Sequence, residues 1–239
     1  MRHLYWALSE VTRFGRPDVT EEDRPVGWRA WIAGVALADG LVCWLLAALL
    51  YWLFRIHFVG SVVAAAAVCL WEHFLHSSKF PEGEAVMARM LLRKKMGEEI
   101  DDAWLNVVKL GVILLKPLLV MALCGMEMAH WLIVYAVLSM CMALDFSGGV
   151  LVRRKTDYAW KSVAHWVVAV AAIGLLGLAA GAVFTLAAVV ALIVAFMLAE
   201  VCARYFPPEM FNRRPVAKAF YLCLGELTML AVGVIMLAL

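Results

Sequence analysis

Residues 28–54 read WRAWIAGVALADGLVCWLLAALLYWLF. An α-helix rises about 1.5 Å per residue, so a helix of this length can cross the roughly 30 Å hydrocarbon core of a bilayer. The stretch contains one acidic residue, Asp39, and an ionisable group at mid-span costs about 2.5 to 3.5 kcal/mol on insertion scales. We therefore predict a membrane-spanning helix carrying a group that needs a partner or a function.

The rest of the chain has the same character. Hydrophobic residues make up 65% of its 239 positions and charged residues only 17%, against about 25% charged residues in soluble domains. The apolar blocks have the length of membrane helices, and none alternates with the period of two that a barrel strand requires. We predict an all-α, polytopic transmembrane bundle in which residues 1–239 form a single membrane domain. About seven spans are expected, near 28–54, 57–76, 104–124, 126–145, 160–181, 182–203 and 217–239.

The distribution of positive charge predicts how the bundle is oriented. Lysine and arginine gather in the segments 1–27, 77–103, 146–159 and 204–216, whereas each other connection between spans carries at most one. Positive charge marks cytoplasmic segments, so the N-terminus is expected in the cytoplasm and the number of spans is expected to be odd. A multi-pass protein of the inner (cytoplasmic) membrane follows, with its polar groups facing the cytoplasm.

Two of these cytoplasmic segments have further predicted features. Segment 1–27 is expected to be amphipathic, and its charges exclude the apolar core of a cleavable signal peptide. Segment 77–103 contains GEAVMARMLLRKKMGEEI, in which a basic run lies beside an apolar flank. That pattern predicts a helix in the headgroup layer. The flank is formed by Val86, Met87, Met90, Leu91 and Met96.

Cysteine usage and net charge restrict the function classes. The six cysteines occur singly, without a CxxC pair, so we expect neither disulfides nor zinc knuckles and interpret them as packing residues. The net charge of +2 is too small to indicate a nucleic-acid partner. The lipid bilayer is the partner that the composition predicts, with self-association as a homo-oligomer left open.

The end of the second span, WEHFLHSSKFPEGE, carries the densest group of ionisable residues. Glu72 and His76 are four apart, hence on one helical face, where they can hold a divalent cation or pass a proton. The alternative is that they pair or extend to water at the interface. Glu82 and Glu84 lie on a Pro/Gly turn and can add oxygen ligands for Mg²⁺, or can be solvated loop carboxylates.

Two basic pairs are candidates for binding an anion. Lys109 and Lys116 are seven apart on one face of the third span, which suits a phosphate or a carboxylate partner such as Glu72 or Glu226. Arg153 and Arg154 end the stretch DFSGGVLVRR, where the backbone can approach a phosphate, although their charge is also explained by topology.

Four long stretches occur in a recognisable order around that ionisable end. They are LYWALSEVTRFGRPD, RAWIAGVALADGLVCWLLAALLYWL, VVKLGVILLKPLLVMAL and YLCLGELTMLAVGVIML. Together they resemble the cobalamin (5′-phosphate) synthase family, the adenosylcobinamide-GDP ribazoletransferases, over nearly the whole chain. The resemblance implies a membrane transferase that joins adenosylcobinamide-GDP to α-ribazole or its phosphate and releases GMP, with Mg²⁺ as cofactor and a corrinoid and a nucleotide as substrates.

Charge, membrane depth and the partial motif match together suggest roles for the candidate residues if the chain is active. Glu72, His76, Glu82 and Glu84 would hold the metal, and His76, Glu82, Glu84 and Lys116 would form the catalytic set. Substrate would be bound by Lys109, Arg153, Arg154 and Glu226.

The acidic motifs of the family are largely replaced in this chain. Members show His-Leu-Asp-Gly-Leu-Ala-Asp at the end of the second helix, whereas His76 is followed by Ser77 and Ser78. Near the C-terminus, RRPVAKAF has lost the family's glycines and carboxylate, although Glu226 matches an acid of the family's last helix. The sequence therefore leaves two alternatives to the enzyme, a non-catalytic relative that binds a corrinoid, a nucleotide or a protein, and a small transporter.

Overall fold

The computed structural model describes residues 2–12, 28–54, 56–76, 79–92, 102–151, 164–205 and 214–239. These ranges contain helices and turns and no strand, which confirms the all-α fold class. The helices are α1 (Arg2–Val11), α2 (Trp28–Leu53), α3 (His57–His76), α4 (Lys79–Leu91), α5 (Asp102–Gly125), α6 (Trp131–Leu151), α7 (Ala164–Ala180), α8 (Ala182–Tyr205) and α9 (Arg214–Ala238).

Five stretches are long and apolar enough to cross a membrane, and they lie in α2, α3, α5, α8 and α9. Two shorter apolar stretches, Trp131–Phe146 and His165–Ala180, lie in α6 and α7. Each of the seven predicted spans thus overlaps a helix of the described residues, and the chain is a multi-pass membrane protein. The count of seven spans and the cytoplasmic N-terminus stay predictions.

The outer surface of the bundle is apolar enough to require lipid. Large apolar side chains are exposed along α2, α3, α5, α7 and α8, including Trp52, Leu70 and Leu178. Soluble monomers rarely expose contiguous apolar surface on this scale. The bilayer is therefore the environment of these helices.

Helix α6 is the centre of the bundle. Every residue from 131 to 144 is buried, so this part of the helix has no exposed face, and it packs mainly on α9 and α2. Glycines allow the close approach, because a Cβ at Gly40 would lie 2.8 Å from the Ile133 Cα and one at Gly225 would lie 2.7 Å from the Met142 Cε. Helix α6 consequently holds α2 and α9 within reach of common partners.

Helix α4 is the helix predicted within segment 77–103. It packs on α9 and α5, and a Cβ at Gly83 would overlap the Ala219 backbone. Of the predicted apolar flank, Val86, Met87 and Met90 are buried and Leu91 is exposed, while Met96 lies outside the described residues. Most of the described flank therefore packs on protein, and a position in the headgroup layer stays a prediction.

Candidate functional site

A buried cluster of ionisable residues joins three helices. The Lys116 ammonium of α5 lies 2.7 Å from Glu72 Oε2 of α3 and 2.8 Å from Glu226 Oε2 of α9. Tyr135 of α6 donates its hydroxyl to Glu72 Oε1, and its ring faces Lys116, with Nζ 5.6 Å from the ring centroid. Two carboxylates and a cation–π contact thus surround one buried cation.

The cluster continues to α2 through Asp39. Trp71 donates its indole N–H to Asp39 Oδ1 at 2.9 Å, and His76 Nε2 lies 3.4 Å from Asp39 Oδ2. The thiol of Cys43 lies 3.9 Å from both Asp39 Oδ1 and Glu72 Oε1. Asp39, the only acid of the first span, is therefore a central member of the network.

Helical spacing explains why these side chains meet. Asp39 and Cys43 are four apart on α2, and Glu72 and His76 are four apart on α3, so each pair lies on one face of its helix. The two helices pack against each other, which brings the two faces together. The predicted shared face of Glu72 and His76 is thus directed partly at α2, a neighbour that the spacing alone does not identify.

A small cleft opens beside this cluster. Its volume is about 160 Å³, below the roughly 300 Å³ at which ligand pockets begin. Pro117 lies inside α5 and removes the N–H that would donate to the Ile113 carbonyl. The lining residues are Cys69, Glu72, His73, Glu84, Ile113, Lys116 and Pro117.

Glu84 brings α4 into the cleft. Burial raises the pKa of its carboxyl above the ordinary value, while Lys116, Lys109 and His73 act in the opposite direction. Three of the predicted site residues, Glu72, Glu84 and Lys116, therefore line one cleft, and Lys109 is close enough to act on it electrostatically.

The other predicted residues are placed as follows. Glu226 pairs with Lys116, and His76 joins the cluster through Asp39. Glu82 lies in α4, but its side chain is outside the described residues. Arg153 and Arg154 are also outside them. A cavity of ligand size, about 460 Å³, lies elsewhere, lined by the end of α2, the start of α3 and the connection from α5 to α6.

Sequence reasoning missed Cys43, Trp71 and Tyr135 as members of the network. A signal for Cys43 was present, because its spacing from Asp39 equals that of Glu72 from His76. Trp71 and Tyr135 gave none, since an aromatic residue in an apolar block is ordinarily packing. Their polar atoms matter here because buried carboxylates require donors.

Mg²⁺, which the resemblance implies, does not fit the described part of its predicted site. Lys116 Nζ already lies against Oε2 of both Glu72 and Glu226, so neither of these two oxygens is open to a metal ion in the cleft. His76 is directed at Asp39 and does not line the cleft that Glu72 and Glu84 share. A near-octahedral oxygen shell is what Mg²⁺ requires, and these residues do not provide it.

A second polar contact lies between α6 and α7. Asp145 accepts the indole N–H of Trp166 at 2.5 Å, and its other oxygen lies 3.2 Å from His165 Nε2. This contact is separate from the Lys116 cluster. It fixes α7, which has almost no amphipathic character of its own, against the central helix.

Comparison of the chain with protein-family models, with curated proteins and with solved structures finds no match.

Proposed function

We propose that this chain is a cobalamin synthase-like protein of the inner membrane that binds a corrinoid or its nucleotide-activated form at the cytoplasmic face without transferring it. The proposal rests on the sequence resemblance for the ligand class. One structural observation supports binding without chemistry, namely that Glu72 and Glu226 are both paired with Lys116.

The pairing of Lys116 with two carboxylates bears on catalysis. Attack on a diphosphate needs a metal ion or free cationic groups that stabilise the negative charge developing on the leaving group. A lysine held between two buried carboxylates has its charge compensated. Removing it from them would leave two carboxylates without a counterion, at a cost of about 3 to 5 kcal/mol. Such a cluster stabilises the packing of the helices. It is poorly suited to stabilising the negative charge that develops on a leaving phosphate.

The second candidate is the active transferase, which joins adenosylcobinamide-GDP to α-ribazole or its phosphate and releases GMP. One observation favours it, since Glu84 and Lys116 line the same cleft from different helices. In this case the cleft would widen as substrate binds, and Lys116 would contact a phosphate oxygen.

One experiment separates the two functions. The purified chain in nanodiscs is incubated with adenosylcobinamide-GDP and α-ribazole, with Mg²⁺ and then Mn²⁺, and both bound corrinoid and released GMP are measured. Corrinoid that co-elutes with the protein without GMP release supports binding alone. GMP release establishes the transferase, and absence of both bound corrinoid and GMP contradicts both functions.

A further inference from the structure

The four residues at the contact of α2 and α3 have the chemistry of a metal site. Asp39 and Cys43 come from α2, and Glu72 and His76 come from α3. A carboxylate, a thiolate, a second carboxylate and an imidazole are all ligands that proteins use for Zn²⁺. We propose that these four residues form a closed site for a divalent transition-metal ion of the zinc type.

The ligand atoms of Asp39, Cys43 and Glu72 lie near the spacing that tetrahedral coordination requires. An ion with bonds of about 2.0 to 2.3 Å holds adjacent ligand atoms about 3.3 to 3.6 Å apart. His76 Nε2 lies 3.4 Å from Asp39 Oδ2, and Cys43 Sγ lies 3.9 Å from oxygens of both Asp39 and Glu72. Ligand atoms of Asp39, Cys43 and Glu72 all lie within 4.8 Å of one another. This group does not include His76, whose Nε2 approaches the other oxygen of Asp39, so the imidazole would have to turn toward the other three ligands to complete the shell.

Asp39 and Glu72 accept hydrogen bonds from neighbouring residues of the kind that orient carboxylates around a bound metal. Trp71 donates to the Asp39 carboxylate, and Tyr135 donates to Glu72 while Lys116 holds its other oxygen. Groups of this kind fix the direction of coordinating carboxylates in metal proteins. Glu72 therefore has one oxygen directed at the lysine and the other at the α2 side, where Cys43 lies.

Charge gives an independent argument. When the carboxylates of Asp39, Glu72 and Glu226 are all ionised and His76 is neutral, these described groups exceed the charge of Lys116 by two negative charges. Buried charge without compensation is strongly unfavourable. Binding a divalent ion with release of the Cys43 thiol proton to solvent lowers that excess to one.

The residues Asp39, Cys43, Glu72 and His76 are 7%, 0%, 2% and 3% exposed, respectively. Four protein ligands leave no open position for water or substrate, which is the arrangement of structural rather than catalytic zinc. The ion would fasten α2 to α3. This differs from the Mg²⁺ site that the resemblance implied, and it does not depend on the proposed function.

Co²⁺ is the probe, because its bond to a thiolate gives a charge-transfer band. The purified chain, with any affinity tag removed, is treated with a chelator and titrated with Co²⁺ and then with Zn²⁺. We expect one Co²⁺ per chain, a thiolate band that Zn²⁺ abolishes by displacement, and a melting temperature raised by several degrees with Zn²⁺. Absence of the band in the unmodified chain overturns the proposal without reference to any variant.

Substitutions test whether the Co²⁺–thiolate band comes from the proposed site at Cys43. Cys43→Ser should abolish it, whereas Cys141→Ser, a matched change of a fully buried cysteine on α6, should retain it. His76→Gln should keep the band and weaken Co²⁺ binding by at least about ten- to hundredfold. A band that persists in Cys43→Ser, that disappears in Cys141→Ser, or whose affinity is unchanged in His76→Gln contradicts the assignment.

Discussion

Lys116 and Glu226 form a buried ion pair of 2.8 Å although 110 residues separate them in the chain. The pair connects α5 to α9, and Glu72 extends it to α3. Because three helices contribute one charged group each, the cluster specifies how these helices pack as well as contributing to stability. Its energetic role can be measured directly.

Replacing Lys116 by methionine should destabilise the protein by about 3 to 5 kcal/mol, because Glu72 and Glu226 would then be buried without their counterion. The measurement is reversible unfolding in mixed micelles. Lys109→Met is the matched control, since Lys109 lies on the same helix and is only partly buried. It should change the free energy of unfolding by less than about 1 kcal/mol. Equal effects of the two changes would show that the ion pair contributes nothing specific.

Glu84 should give the protein a defined pH dependence. Burial raises the pKa of its carboxyl above the ordinary 4.5, so the folded chain holds the proton more tightly than the unfolded chain does. Stability conferred by Glu84 is therefore full below pH 4.5, declines as the pH rises through the folded pKa, and is constant above it.

Glu84→Gln should remove this decline, and the difference in melting temperature between wild type and variant should change across that window. Comparing the two proteins at each pH cancels the groups that they share. A difference that does not change between pH 4 and pH 8 would contradict the raised pKa.

Gly40→Ala should destabilise the contact of α2 with α6 by about 1 to 3 kcal/mol, because the new Cβ would meet the Ile133 backbone. Gly34→Ala is the control on the same helix, since a Cβ there has nothing within 4 Å. It should be neutral or slightly stabilising, as alanine favours helix over glycine. A loss of stability in both variants would point to a general intolerance of α2.

The helices could be predicted from the sequence because lipid imposes a simple requirement. Apolar blocks of membrane length have to be helical, since every backbone N–H and C=O must be bonded within the segment. The connection at 126–130 was less predictable. The start expected near residue 126 is observed at Trp131, after a turn in which Glu127 takes a φ of 60°.

The site could be predicted only in part. For Lys116 the sequence left a phosphate and a carboxylate partner as alternatives, and the structure pairs it with two carboxylates, of Glu72 and Glu226. A partner of some kind was expected because an isolated charge in the membrane is costly. The partner of His76 could not be predicted, since helical periodicity gives the facing residues of one helix and not the identity of its neighbour. The ligand-sized cavity expected at this cluster is absent among the described residues, which form only a narrow cleft.

The enclosed position of α6 determines when the protein can reach its final state during synthesis. Trp131 of α6 donates its indole N–H to the Met229 carbonyl of α9 at 3.0 Å, and α9 emerges from the ribosome after α8. Until then, one side of α6 lacks its native neighbour and Lys116 lacks the carboxylate of Glu226. Nascent chains arrested before α9 should therefore be substrates for membrane quality-control proteases, and completion of α9 should end that vulnerability.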